Sequence, residues 1–197
     1  MKCLLVTAHP LADSLSAPLV SRAAEALASA GHEVVVEDLY RDGFDAALTA
    51  AERKSYYGQP YDRTAVAEQT DRLLGAEAIV LVFPTWWFGF PAILKGWFDR
   101  VWGPGIAYYH ADEFGPIKPR LGTLKRMLAV TSLGSPWWVD WLLLRRPVRR
   151  VLKTALLGTC APGCRFEMLS LYRSERLAPA TVERFSQRVA RAIHDWD

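Results

Sequence analysis

A chain of 197 residues, 51% apolar and 23% charged, has the length and composition of one folded domain spanning residues 1–197. A net charge of +3 is too small an excess to point to nucleic acid, and three cysteines are too few for a disulfide framework. No apolar run approaches the length of a bilayer span, and the opening "MKCLLVTAHP" does not read as a secretory signal, so a reducing cytoplasm is the expected compartment.

Five short apolar runs, at 3–8, 33–39, 78–83, 126–132 and 165–171, lack strict alternation and predict strands buried on both faces of a parallel sheet. Between the first two, Leu19, Val20, Ala23, Ala24, Leu27 and Ala30 recur at helical spacing, and Gly31 supplies the stop. Residues 62–74 read as a second helix with Val66, Thr70, Leu73 and Leu74 inward. In the third, Pro91 occupies a first turn, followed by Ile93, Leu94, Trp97, Phe98 and Val101 on one side. Helices near 147–157 and from 179 to about 195 complete the alternation. Strand, helix, strand throughout predicts an α/β three-layer sandwich, a five-stranded parallel sheet in the flavodoxin-like order 2-1-3-4-5. In that order ligands sit beyond the carboxyl ends of strands 1 and 3. Residues 41–61 read as an insertion after strand 2, and residues 103–123, with four glycines and three prolines, as a long loop before strand 4.

Three loops at that end of the sheet carry chemistry. "AHPLADSLS" after strand 1 offers His9, Ser14, Leu15 through its backbone, and Ser16 at a helix start, where free amides and the helix dipole favour a phosphate. The plainer reading makes Asp13, Ser14 or Ser16 a helix cap. "PTWWFG" after strand 3, Pro84, Thr85, Trp86, Trp87, Phe88 and Gly89, offers apolar walls and unpaired amides for the edge of a polar ring. Its rings serve equally as a core cap or a dimer surface. "TSLGSP" after strand 4 adds Thr131, Ser132 and Gly134. Together, one phosphate-suited loop and two ring-suited loops describe a flavin site. No dinucleotide fingerprint, phosphate loop, nucleophile elbow, paired carboxylates or metal-ligand spacing is present. Cys3, Cys160 and Cys164 read as structural. The segment "WWVDWLLLRRPVRRVLK", residues 137–153, suits a membrane surface or a nicotinamide-dinucleotide phosphate, but reads more simply as a lid running into a solvated basic helix.

"FPTWWFGFPAILKGWFDRVW" at 83–102, with "AHPLADSLS" before it and "GIAYYHADEFGP" after it, resembles the NAD(P)H:quinone oxidoreductase (DT-diaphorase) family in its short bacterial form. The resemblance runs from strand 1 to about Pro116 and then fades. It implies a flavodoxin-like fold, a homodimer and a non-covalent flavin, FAD in preference to FMN, with NAD(P)H as co-substrate. By position it places His9, Ser14, Leu15 and Ser16 at the flavin phosphates, Pro84 to Gly89 along the isoalloxazine, and Thr131 to Gly134 at its pyrimidine edge. Tyr108 and His110 would enter the partner's cleft as the catalytic candidates. Asp99 and Arg100 match positions used near the flavin and the dimer contact, and Arg145 or Arg146 is a candidate for balancing charge on the reduced flavin or quinone. The reaction implied is ping-pong hydride transfer from NAD(P)H through flavin N5 to a quinone. Alternatives are an FMN azoreductase or nitroreductase-like enzyme, or a flavin-binding subunit of a potassium efflux system with a membrane-protein partner. The chain departs from the family after strand 4, where "TSLGSPWWVDWLLLRR" lacks the Tyr and His that assist hydride transfer in longer members.

Overall fold

The computed structural model describes residues 1–57, 60–110 and 116–196. The first half alternates β1 (Lys2–Thr7), α1 (Ser16–Ser29), β2 (Glu33–Asp38), α2 (Ala50–Ser55), α3 (Ala67–Gly75), β3 (Ala78–Pro84) and α4 (Ala92–Val101). A short hairpin follows, β4 (Tyr108–Tyr109) with β5 (Lys118–Pro119), and then the long strand β6 (Arg126–Leu133). The chain closes with α5 (Pro147–Arg150), α6 (Gly158–Cys160), β7 (Arg165–Tyr172) and α7 (Pro179–His194). The main sheet has the order β2-β1-β3-β6-β7 and every pairing is parallel. This is the expected 2-1-3-4-5 arrangement once the two hairpin strands, which lie outside the main sheet, are set aside.

Burial follows from that order. The central strand β3 is buried at all seven positions, because helices cover both faces of a parallel sheet. At the edge, β2 leaves Val35 and Val36 exposed. Leu5, Val80 and Leu128 meet Leu19 and Leu27 of α1 and Phe185 and Val189 of α7 on one face. On the other, Leu4, Ile79 and Leu81 meet Leu73, Leu94, Trp97 and, beyond them, Val148 and Leu152. The five inward residues expected of α4 are all buried. In α3, Thr70 and Leu73 face the core but Leu74 does not, since a helix laid on one layer buries one stripe and Leu74 lies about 100° around from Leu73. Gly31, at φ +74°, takes the left-handed conformation that ends α1.

Two regions hold more structure than their sequence suggested. Within 41–61, Thr49 and Glu52 form a capping box that starts α2. Gly96, inside α4, lets this region approach: a Cβ there would stand 2.1 Å from the Ala46 carbonyl oxygen. The expected basic helix at 147–157 is longer and irregular. A π-helical turn, Val139–Leu143, precedes it, Arg145 and Arg146 are both left-handed (φ 54° and 52°), and α5 passes through a second π-helical stretch, Val151–Leu157, into α6. Among the described residues, no helix is long and apolar enough to cross a membrane. Cys160 and Cys164 are free thiols, pushed up to about 11 by burial.

Candidate functional site

The carboxyl ends of β1, β3 and β6 lie side by side, so their following loops emerge on one rim. After β1, α1 begins at Leu15, which provides no side-chain cap, and no acidic residue stands in its first turn. Asp13, Ser14 and Ser16 therefore do not cap the helix through their side chains; Ala17 N donates to the Ser14 carbonyl at 3.0 Å and Pro18 has no N–H, so the Ser16 amide is the donor that the first turn offers. His9 Nδ1 accepts from the Leu11 amide at 3.1 Å, which places the ring proton on Nε2 and makes that atom a donor. His9, Leu11, Ser14 and Ser16 line a cleft of about 710 Å³. The cleft continues past the end of β2 to Asp38, Tyr40 and Arg41, three residues that pattern reading did not single out. The rule that ligands lie beyond strand carboxyl ends would have found them.

After β3, Gly89 N donates to the Trp86 carbonyl at 2.9 Å, while Trp87 and Phe88 sit at φ 50° and 56°. Positive φ at both central residues makes this a type I′ turn, normally a place for Asn and Gly. Two bulky side chains held there carry about 1–3 kcal/mol of strain each, and such strain clusters at ligand clamps. Trp87 is fully exposed. The Trp86 ring lies edge-on to His9 at 6.1 Å between centroids, joining the first loop to the second.

The second loop is tied to the third. Thr85 N donates to the Ser132 carbonyl at 2.8 Å, and the Thr85 and Thr131 hydroxyls meet at 2.6 Å. Thr85, Trp87, Phe88, Gly134 and Ser135 border a pocket of about 100 Å³. The structure thus gathers His9, Ser14, Leu15, Ser16, Pro84 to Gly89, Thr131, Ser132 and Gly134 on one continuous rim.

Tyr108 and His110 stand elsewhere. His110 Nε2 hydrogen-bonds with the Tyr56 carbonyl at 2.9 Å and its ring lies 4.9 Å from that of Tyr57. Tyr108 packs edge-on against His110, and burial together with Tyr56 pushes its phenol well above the ordinary tyrosine range. Among the described residues, no hydrogen bond or ring contact joins this pair to the three loops. The remainder of their motif, 111–115, lies outside the described residues. Arg100 is turned to the interior, donating to Glu52, and Asp99 pairs with Lys95 on the exposed face of α4. Arg146 is stacked over the Trp141 ring at 4.2 Å, with burial first and then Arg149 holding its guanidinium below the ordinary arginine value. The network beside it was not legible beforehand: the Tyr172 hydroxyl donates to buried Asp140 at 2.8 Å and accepts from Trp141 Nε1 at 2.9 Å.

The residues fit a flavin. An uncapped helix start with a histidine donor suits a phosphate, and a strained turn with free amides beside exposed rings suits the edge and plane of an isoalloxazine.

The chain is similar to known proteins along most of its length. NAD(P)H dehydrogenase [quinone] 1 of Rattus norvegicus is 34% identical over 156 residues, covering 68% of this chain and 54% of the relative. The uncharacterized NAD(P)H oxidoreductase YcaK of Escherichia coli is 36% identical over 105 residues, covering 53% and 54%. The chain spans about half the length of these curated relatives. Among solved structures, the NAD(P)H:quinone oxidoreductase from Methanothermobacter marburgensis superposes with a TM-score of 0.82 at 28% identity, covering 100% of this chain and 96% of the other. The FMN-dependent NADH-azoreductase from Bacillus anthracis, at 20% identity and a TM-score of 0.76 with 98% of each chain covered, shares the fold. A family model described as a flavodoxin-like fold matches residues 1–196, and the chain belongs to that family.

Proposed function

We propose that the protein is a flavin-dependent NAD(P)H:quinone oxidoreductase that works in two half-reactions. The observation that carries this reading is the linked rim, an anion-suited helix start at one end and a strained aromatic turn at the other, joined by His9 to Trp86 and by Thr85 to Thr131. A flavin bound there supplies two-electron chemistry, accepting a hydride from NAD(P)H and returning one to the acceptor. His9 Nε2, the hydroxyls of Ser14 and Ser16 and the Ser16 amide would hold its phosphate. The amides of Trp87 and Phe88 would donate to the ring edge of a flavin, and fixed donors of this kind stabilise negative charge without reorganising. Thr131, Ser132 and Gly134 close the opposite edge, and exposed Trp87 forms a wall against which a flat nicotinamide or quinone stacks. The cleft's extension to Asp38, Tyr40 and Arg41 leaves room beyond one phosphate, which favours FAD over FMN.

Tyr108 and His110 act in this reading across a homodimer, entering the cleft of the second copy. What supports that assignment is that, among the described residues, the pair contacts Tyr56 and Tyr57 and not the rim of its own chain. With its phenol pushed upward, Tyr108 stays protonated and positions the acceptor as a hydrogen-bond donor.

The test is to incubate the purified protein with FAD or FMN, remove free flavin, and follow NADH and NADPH oxidation with and without a quinone. Quinone-dependent turnover by the flavin-loaded protein is expected. A protein that retains neither flavin overturns the reading, and faster turnover of an azo dye than of any quinone replaces its substrate class.

A further inference from the structure

The corner after β6 begins two residues beyond the rim, and its exposed side chains are not explained by the rim. Leu142 and Leu143 are each 65% exposed and Trp137 is 54% exposed, with Trp138, Trp141 and Leu144 exposed beside them. Beneath the corner, Asp140 is buried and held by the Tyr172 hydroxyl, its carbonyl accepts from Arg146 N at 2.7 Å, and the left-handed pair Arg145–Arg146 turns the chain back. The exposed leucines are therefore presented on a braced turn.

Charge decides what such a surface meets. Between Asp140 and Glu167 the sequence holds six basic residues and no acidic one. Arg145, Arg150 and Lys153 are exposed and Arg149 is half-exposed. Among the described residues, none of these four pairs with a carboxylate. Two copies meeting through this surface about a two-fold axis would set these cations against one another, so a second copy is a poor occupant. An anionic bilayer is a complementary one: tryptophan rings favour the headgroup level, leucines the acyl boundary, and arginines the lipid phosphates.

We infer that the tryptophan–leucine corner at 137–144, with the arginines that follow it, docks the protein on an anionic lipid surface. Docking there is reversible and peripheral, and it weakens as salt screens the arginines. Because Ser135, at the edge of the rim, is two residues from Trp137, docking also brings the rim close to the bilayer. On the quinone reading above, on which this last step alone rests, the acceptor is a lipid-soluble quinone drawn from the membrane.

The experiment is flotation of the full chain with vesicles of phosphatidylcholine alone and of phosphatidylcholine with phosphatidylglycerol, at low and high salt. Binding is expected to the anionic vesicles at low salt. Arg149→Gln/Arg150→Gln lowers it roughly tenfold or more, whereas Arg184→Gln/Arg188→Gln on α7, across the sheet, leaves it nearly unchanged. Leu142→Ser/Leu143→Ser, exposed positions whose change spares the core, also lowers it. Absence of binding to both vesicle types overturns the proposal and points to a protein partner. Equal loss with both arginine pairs overturns it in favour of nonspecific charge, and loss of self-association with unchanged vesicle binding in the leucine variant makes the corner a contact between copies. Flotation reads no catalysis, so its failure leaves the quinone reading standing, and failure of that reading leaves this one.

Discussion

Arg100 and Glu52 form an ion pair deep in the protein, with Nε and Nη2 of the arginine both donating to Oε1 of the glutamate at 2.9 and 2.6 Å. Each is 3% exposed, and Arg100 also donates to the Asp45 carbonyl. The pair pins the region 41–61 to α4, whose neighbouring residues form the aromatic turn. Removing one partner of a buried pair strands the other charge, so Glu52→Gln lowers stability by about 3–5 kcal/mol. Burial alone would raise the Glu52 carboxyl, but hydrogen bonds from Arg100 and Thr49 overcome it and hold the group below its ordinary value. Its contribution is therefore complete above the unfolded carboxylate range and is lost as pH falls through the folded value. Urea midpoints should differ most between wild type and variant near neutral pH and converge in acid; a constant gap would contradict the assignment.

Gly96 and Ala46 give a steric version of the same coupling. With 2.1 Å between a new Cβ and a backbone oxygen, Gly96→Ala displaces the 41–61 region or distorts α4. A loss of about 1–3 kcal/mol is expected, in spite of alanine's better helix propensity. A thermal midpoint equal to or above wild type would show that the two segments do not hold each other.

Trp87 is strained and fully exposed. Trp87→Gly is expected to raise stability by about 1 kcal/mol, since glycine enters the left-handed region freely. Turnover, or the KM for the nicotinamide or quinone, should worsen in the same variant. Stability and activity falling together would mean that the ring packs where it was taken to be free.

His9→Ala should weaken flavin retention roughly tenfold or more, the scale of a hydrogen bond to a charged group. Lys2→Ala, an exposed position at the opposite end of β1, is the control and should retain flavin like wild type. Equal retention in both variants, read from the bound chromophore after desalting, removes His9 from the phosphate site.

A dimer that persists at micromolar concentration is expected, because among the described residues Tyr108 and His110 make no hydrogen bond or ring contact with the rim of their own chain. Sedimentation across a dilution series checks this. Full turnover by a monomer would exclude a role for the pair across the interface.

Much of the architecture was written along the chain. Five unbroken apolar runs mark buried parallel strands, helical spacing marks α1, α4 and α7, and both signals are local, arising from the period of each element. The three loops that carry His9, Trp86 to Phe88 and Thr131 to Gly134 were legible for a related reason: strand order alone brings strand ends to one rim. What the chain order did not contain is long-range. That Gly96 exists to admit Ala46, that Arg100 is consumed by Glu52 instead of a ligand, and that Arg146 lies over Trp141 depend on which segments fold back on which. The left-handed Trp87 and Phe88 were hidden because their side chains disfavour that backbone and only their surroundings impose it. Local periodicity determined the sheet and the rim; packing between distant segments decided which charges are bound inside and which, at the corner near Leu142, are left facing outward.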